Sequence, residues 1–189
     1  MMRQNEQRNG TVRACAFTGY RPRKLPHNGE ESHPDCIWIK SRLTRDICLH
    51  LDMGIRVFIS GMALGVDQWA AEIVLLAKEL RPDDGIQLWC AVPYARQAAA
   101  WTAQEQERYR AILAKADRVD VLSERYYDGC LLARNRYMCD QATHLIAVYD
   151  GQKGGTKYTV DYAKKKGLFV SIINPIDDTK DTTWQGLRE

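Results

Sequence analysis

Six short apolar runs punctuate the chain: Val12–Thr18, Ile55–Ser60, Ile86–Val92, Arg118–Leu122, His144–Tyr149 and Phe169–Ile173. Each is rich in Val, Ile, Phe or Cys, and near-continuous rather than alternating apolar runs belong to strands buried on both faces. The segments between them repeat with a helical period. Val66, Trp69, Ala70, Ile73, Val74, Leu76, Ala77 and Leu80 form one wide stripe, which predicts a helix over Val66–Leu80. Trp38, Leu43, Ile47 and Leu51 predict another over Ile37–Leu51, stopped by Met53-Gly54. A looser repeat of Trp101, Tyr109, Ile112, Leu113 and Ala116 places a helix between Ala98 and Ala116. A fourth covers Thr156–Lys166, where Lys164, Lys165 and Lys166 before Gly167 suit the negative end of a helix dipole and are read as a terminus rather than a binding patch. One more helix precedes the fifth run, with Ala133–Met138 early in it. Strands alternating with helices predict an α/β fold with a parallel sheet covered on both faces.

One connection breaks the rhythm. Tyr20–Asp35 carries three prolines and no periodicity, and a loop of that length without structure of its own is functional or disordered. Residues 1–10 and 176–189 read as polar tails, with Trp184 a residue that can dock, so 11–175 is expected to be the single folded domain. At 189 residues, 45% hydrophobic and 27% charged, the composition is that of an ordinary globular chain and excludes a disordered or collagen-like one. A formal charge of +3 permits an anionic ligand but is thin for a dedicated nucleic-acid binder. Six scattered cysteines without a CxxC pair read as reduced thiols. The polar N-terminus has no signal-peptide core and no run is long enough to span a bilayer, so a cytoplasmic protein with no membrane partner is expected.

In open α/β sheets ligands bind beyond the carboxyl ends of the strands, so the residues just after each apolar run are the candidates. Thr18-Gly19-Tyr20-Arg21 follows the first run, where Gly19 lets the backbone approach a ligand and Arg21, Arg23 and Lys24 can neutralise a phosphate; the alternative is a tight turn into a solvated loop. Ser60-Gly61-Met62-Ala63-Leu64-Gly65-Val66-Asp67 joins a strand to an amphipathic helix, with free N–H groups at the positive end of that helix. Asp67 there either complements the dipole or accepts hydrogen bonds from a ribose hydroxyl or an amino group. Asp150-Gly151-Gln152-Lys153-Gly154-Gly155-Thr156 is a candidate anion nest. Arg134 and Asn135 can face the same crevice, and Tyr126 and Tyr127 either stack on a base or pack.

Other chemistries lack their spacing. No Walker A loop, G-x-G-x-x-G or G-x-S-x-G occurs. His27, His33, His50 and His144 show no metal-ligand spacing, so no metal is expected, and Gln104–Glu107 reads as a solvated helix face.

From about residue 13 to 175 the chain resembles the SLOG superfamily of Rossmann-like proteins, closest to its YpsA-like branch. Three stretches carry the resemblance: TGYRPRKL, SGMALGVDQWAAE and RNRYMCDQATHLIAVYDGQKGGTKYTVDYA. It implies a Rossmann-like three-layer sandwich with a mostly parallel sheet, binding a nucleotide-derived ligand, in a bacterial branch associated with cell division. By position, Thr18, Gly19 and Arg21 match the family's first ligand loop, and Ser60, Gly61, Ala63, Gly65 and Asp67 the second. Arg134 and Asn135 match its basic helix start, and Gly154, Gly155 and Thr156 its phosphate loop. The expectation is a binding or sensing protein for ADP-ribose, a dinucleotide or a nucleoside phosphate, with no established cofactor; a homodimer is expected by analogy.

Two relatives define rival functions. The LONELY GUY phosphoribohydrolases need a glutamate where this chain has Thr159, so the resemblance leans away from an enzyme; were it one, Asp67 would be the acid and Arg134 would orient the phosphate. DNA-processing protein A shares the S-G-x-A-x-G-x-D segment and the R-N-R helix start, which makes single-stranded DNA the third reading.

Overall fold

The computed structural model describes residues 13–176. Val12, the 1–10 tail and the segment with Trp184 lie outside the described residues. Strands β1 (Ala14–Gly19), β2 (Val57–Ser60), β3 (Gln87–Val92), β4 (Arg118–Val121), β5 (His144–Val148) and β6 (Phe169–Ile173) form one sheet in the order β4-β3-β2-β1-β5-β6. Every neighbouring pair is parallel. The α/β expectation holds.

The order explains the layers. The first three connections step one way along the sheet and the last two run back across it. Right-handed crossovers therefore place α1 (Pro34–Asp52), α2 (Val66–Leu80) and α3 (Ala103–Lys115) on one face. They place α4 (Cys130–Asp140) and α5 (Gly155–Lys165) on the other. Neighbours within each layer pack together, α1 on α2, α2 on α3, and α4 on α5. Strands β2 and β5 are buried along their whole length, as their apolar runs require, and Phe17 stacks on Phe58 at the centre with ring centroids 5.9 Å apart. The edge strands β4 and β6 are partly exposed.

Three expectations are corrected. Helix α1 starts three residues early, because Pro34 sits at its first position, where no N–H is needed, and the His33 ring caps the Asp35 N–H. Helix α3 starts only at Ala103, since Thr102 and Glu105 form a capping box that ends the preceding turns. The 20–35 connection does have structure of its own. Two 3-10 turns, Pro22–Lys24 and Pro26–Gly29, each begin on a proline. This strap is tied down at Glu31, which pairs with Arg108 of α3 and with Lys40 of α1 at 2.8 Å. Arg108 also reaches Glu72 of α2 at 2.7 Å. Burial opposes charge on Glu31, but the two cations outweigh it and hold its carboxyl at about 2.

Candidate functional site

Strand β1 lies between β2 and β5, and the connections that follow β1 and β5 run in opposite directions along the sheet. That reversal opens a crevice beyond the carboxyl ends of the strands. Its volume is about 830 Å³, and its walls come from the ends of β1, the strap, the β2–α2 loop, α4 and the start of α5.

The floor is the end of β1. Gly19 pairs in register with Val148 of β5, and Thr18 and Gly19 both line the crevice. The open wall is the α5 start. Gly154, Gly155 and Thr156 line it, and the first amides of a helix have no acceptor within the helix. Thr156 Oγ1 donates to the Gly19 carbonyl at 3.2 Å, joining wall to floor. A Cβ built on Gly155 would meet nothing within 4 Å, so this turn is bare towards the crevice. Beneath it, Asn135 Nδ2 donates to Thr159 Oγ1 at 2.7 Å, and Thr159 donates to the Gly155 carbonyl at 2.8 Å. Thr159 is fully buried under the loop and does not line the crevice.

The opposite wall is closed by charge. Arg134 projects from α4, and its Nη1 donates to the Gly61 carbonyl and to Asp67 Oδ2, the latter at 3.3 Å. Asp67 Oδ2 also accepts from the Ala63 N–H at 3.3 Å. Both side chains are more than nine-tenths buried and both line the crevice. Burial pushes the Asp67 carboxyl up and the Arg134 guanidinium down, while each charge pulls the other back. Arg134 Nε is buried without a partner, a group the protein alone leaves unsatisfied.

Of the residues singled out in the sequence, Thr18, Gly19, Arg21, Ala63 and Asp67 line the crevice, as do Arg134, Asn135, Gly154, Gly155 and Thr156. Ser60, Gly61 and Gly65 do not line it. Ser60 is fully buried, donating to the Asp67 carbonyl at 2.8 Å and accepting from the Met62 N–H. A Cβ on Gly61 would overlap the Arg134 guanidinium. Gly65 has φ +88 and lies so near the strap that a Cβ would come within 2.7 Å of the Tyr20 carbonyl oxygen. These residues pack the wall rather than face the hollow.

Further residues complete the lining, among them Gly129, Leu131 and Leu132, which were not anticipated. Tyr20 donates its hydroxyl to Asp150 Oδ1, and Lys24 Nζ sits 5.3 Å over the Tyr20 ring, so the strap and the α5 loop are joined. Burial and that carboxylate push the Tyr20 hydroxyl up to about 12. Leu64, Leu131 and Leu132 make part of the lining apolar. Glu105, read as solvated, lines it too, and the T-x-x-E capping signature at Thr102 could have located its turn. Tyr126 packs edge-on against Tyr94 at 5.5 Å, the packing alternative, and it also lines the crevice.

Comparison with known proteins fits this geometry. The family model YpsA, described as the YspA SLOG family, matches residues 15–174. A UPF0398 protein of Bacillus thuringiensis (strain Al Hakam) is 36% identical over 160 residues, covering 82% of this chain and 85% of that protein. A UPF0398 protein of Bacillus cereus (strain B4264) matches with the same identity and coverage. Among solved structures, DNA processing protein A from Streptococcus pneumoniae is similar with a TM-score of 0.54 and 17% identity, over 85% of this chain and 50% of that one. DNA processing protein A from Helicobacter pylori, solved for its single-stranded DNA binding mode, is similar with a TM-score of 0.56 and 20% identity. That match covers 86% of this chain and 65% of the Helicobacter chain. The likeness to these two proteins is one of fold, and this chain spans half to two thirds of their length.

Proposed function

The chain belongs to the YpsA family, the YspA SLOG family, and from that premise we propose that it binds a nucleotide-derived small molecule in the crevice beyond β1 and β5. ADP-ribose, a dinucleotide or a nucleoside phosphate is the ligand class. The observation that carries the reading is the convergence on one hollow of the bare α5 start and the buried Arg134 with its unpartnered Nε. Phosphate rests on the Gly154–Thr156 amides near Gly19, because helix N-termini favour anions. Arg21 and Lys24 bring further positive charge from the strap. Asp67 accepts from ribose or base, and Leu64, Leu131 and Leu132 give a base an apolar surface. Asn135 holds the turn from below through Thr159.

The role is binding or sensing. Where a phosphoribohydrolase would place its glutamate, this chain has Thr159 buried under the loop. A second reading, N-glycosidic hydrolysis with Asp67 as the acid and Arg134 orienting the phosphate, is favoured by one observation: the two side chains lie 3.3 Å apart and both line the crevice. A link to bacterial cell division and a homodimeric state belong to the reading through the resemblance alone. Among the described residues no helix is long and apolar enough to cross a membrane.

Thermal shift against a nucleotide panel tests the proposal. A ligand at about 100 times its Kd stabilises by about 2.7 kcal/mol, and Lys24→Ala should shrink that shift. No shift at millimolar ligand overturns it. Chromatography of the same mixtures separates the readings, since free base appears only if the bond to ribose is broken. Retention of a labelled oligonucleotide at low salt, without any nucleotide shift, would favour the DNA reading instead.

A further inference from the structure

We propose that His27, His33 and Asp35 form a binding site for a divalent transition-metal ion of the zinc class, on the strap rather than in the crevice. Their spacing matches no common metal motif, and the strap's backbone is what gathers them. His27 and Asn28 adopt left-handed conformations, φ 51 and 54, within the second 3-10 turn. The chain thereby folds back, and the His27 ring lies on that of His33, the cap of α1, with centroids 3.4 Å apart.

Asp35 in the first turn of α1 completes the trio. Its Oδ2 is 3.2 Å from His27 Nε2 and 3.7 Å from His33 Nδ1. All three donor atoms lie within 4.8 Å of one another, and no other trio of this kind occurs among the described residues. Zinc with bonds of about 2.0–2.1 Å holds tetrahedral ligands about 3.3 Å apart, so the two measured separations are near the required edge. Two imidazoles and one carboxylate suit zinc, cobalt or nickel, whereas calcium and magnesium prefer all-oxygen shells.

Binding requires one local rearrangement. The nearly parallel rings must splay so that both nitrogen lone pairs meet the ion, and His33 must exchange its bond from the Asp35 N–H for the metal. The side chains of His27 and His33 are 51% and 34% exposed, which leaves room for that swing. Three protein ligands leave an open position, the pattern of an exchangeable rather than a closed structural site. The bound ion pins the strap to α1 close to Pro22, Arg23 and Lys24, which line the crevice.

The test titrates Zn²⁺ alone into the full chain by calorimetry after chelator treatment and desalting, with Co²⁺ absorption as a report on the ligands. One equivalent should bind with a nitrogen and oxygen spectrum. Outer partners of metal ligands alone cost 10–100-fold in affinity, so His27→Ala and His33→Ala should each weaken binding by more than about 10-fold. Cys48→Ser, which removes the exposed thiol, should change nothing. Circular dichroism confirms that the variants stay folded. Absence of a one-equivalent event at about 100 µM zinc overturns the proposal, by the affinity scale expected of a specific site. So does binding that survives both histidine variants, or a cobalt spectrum with thiolate charge transfer.

Discussion

Two glycine-bearing turns, Ser60–Asp67 after β2 and Asp150–Thr156 after β5, sit at the same end of the sheet and both lead into helices. They do opposite work. In the first, the glycines admit other parts of the protein: Gly61 makes room for the Arg134 guanidinium and Gly65 for the strap backbone. The turn's polar groups are spent internally, on Ser60, Asp67 and Arg134. In the second turn Gly151–Gly155 are exposed and a Cβ at Gly155 meets nothing, so the helix start stays available. A glycine can serve a neighbouring side chain or a ligand, and what lies against its missing Cβ tells which.

The largest effect should come from breaking the first turn's charge pair. Arg134→Ala leaves Asp67 buried and uncompensated, and urea denaturation should show a loss of about 3–5 kcal/mol. Equal stability of variant and parent would mean that the pair is hydrated, and the contrast between the turns would fail. Next comes Gly19→Ala. Its Cβ would overlap Val66 of α2, and overpacking of that kind costs about 1–3 kcal/mol in the same assay.

Tyr20→Phe probes the link between strap and second turn. Removing a hydroxyl bonded to Asp150 should cost about 1 kcal/mol at neutral pH. The folded protein holds the Tyr20 proton more tightly than the unfolded chain does, so this stabilisation is complete below pH 10 and lost as pH rises to about 12. Stability curves of the variant should fall less steeply across that window. Tyr109, also pushed up to about 12 by burial, keeps the slope from vanishing. The smallest effect belongs to Gly155→Ala, expected within about 0.5 kcal/mol because the space is open. A large loss there would show that the second turn packs as tightly as the first.

Much of this was legible in the chain. The apolar runs located all six strands; burial on both faces leaves no room for alternation in β2 and β5, whereas the edge strand β4 (RVDV) alternates. The stripe from Val66 to Leu80 matched α2 at both ends. Boundaries slipped where a local device overrode periodicity: Pro34 extended α1, and the Thr102–Glu105 box shortened α3. The candidate residues of β1 and α5 that line the crevice were singled out by their place at the carboxyl ends of strands. That Gly61 and Gly65 pack against Arg134 and Tyr20 was not legible, because those partners are distant in the chain.

Pattern and local chemistry thus determined the strands, the helices and the end of the sheet where special residues gather, because burial periodicity and turn geometry act over a few neighbouring residues. Which charge meets which was decided only by the folded sheet. Strand order brings Arg134 of α4 across to Gly61 and Asp67, and the doubled-back strap stacks His27 on His33. Coulomb forces and packing act through space, and distance along the chain does not foretell them.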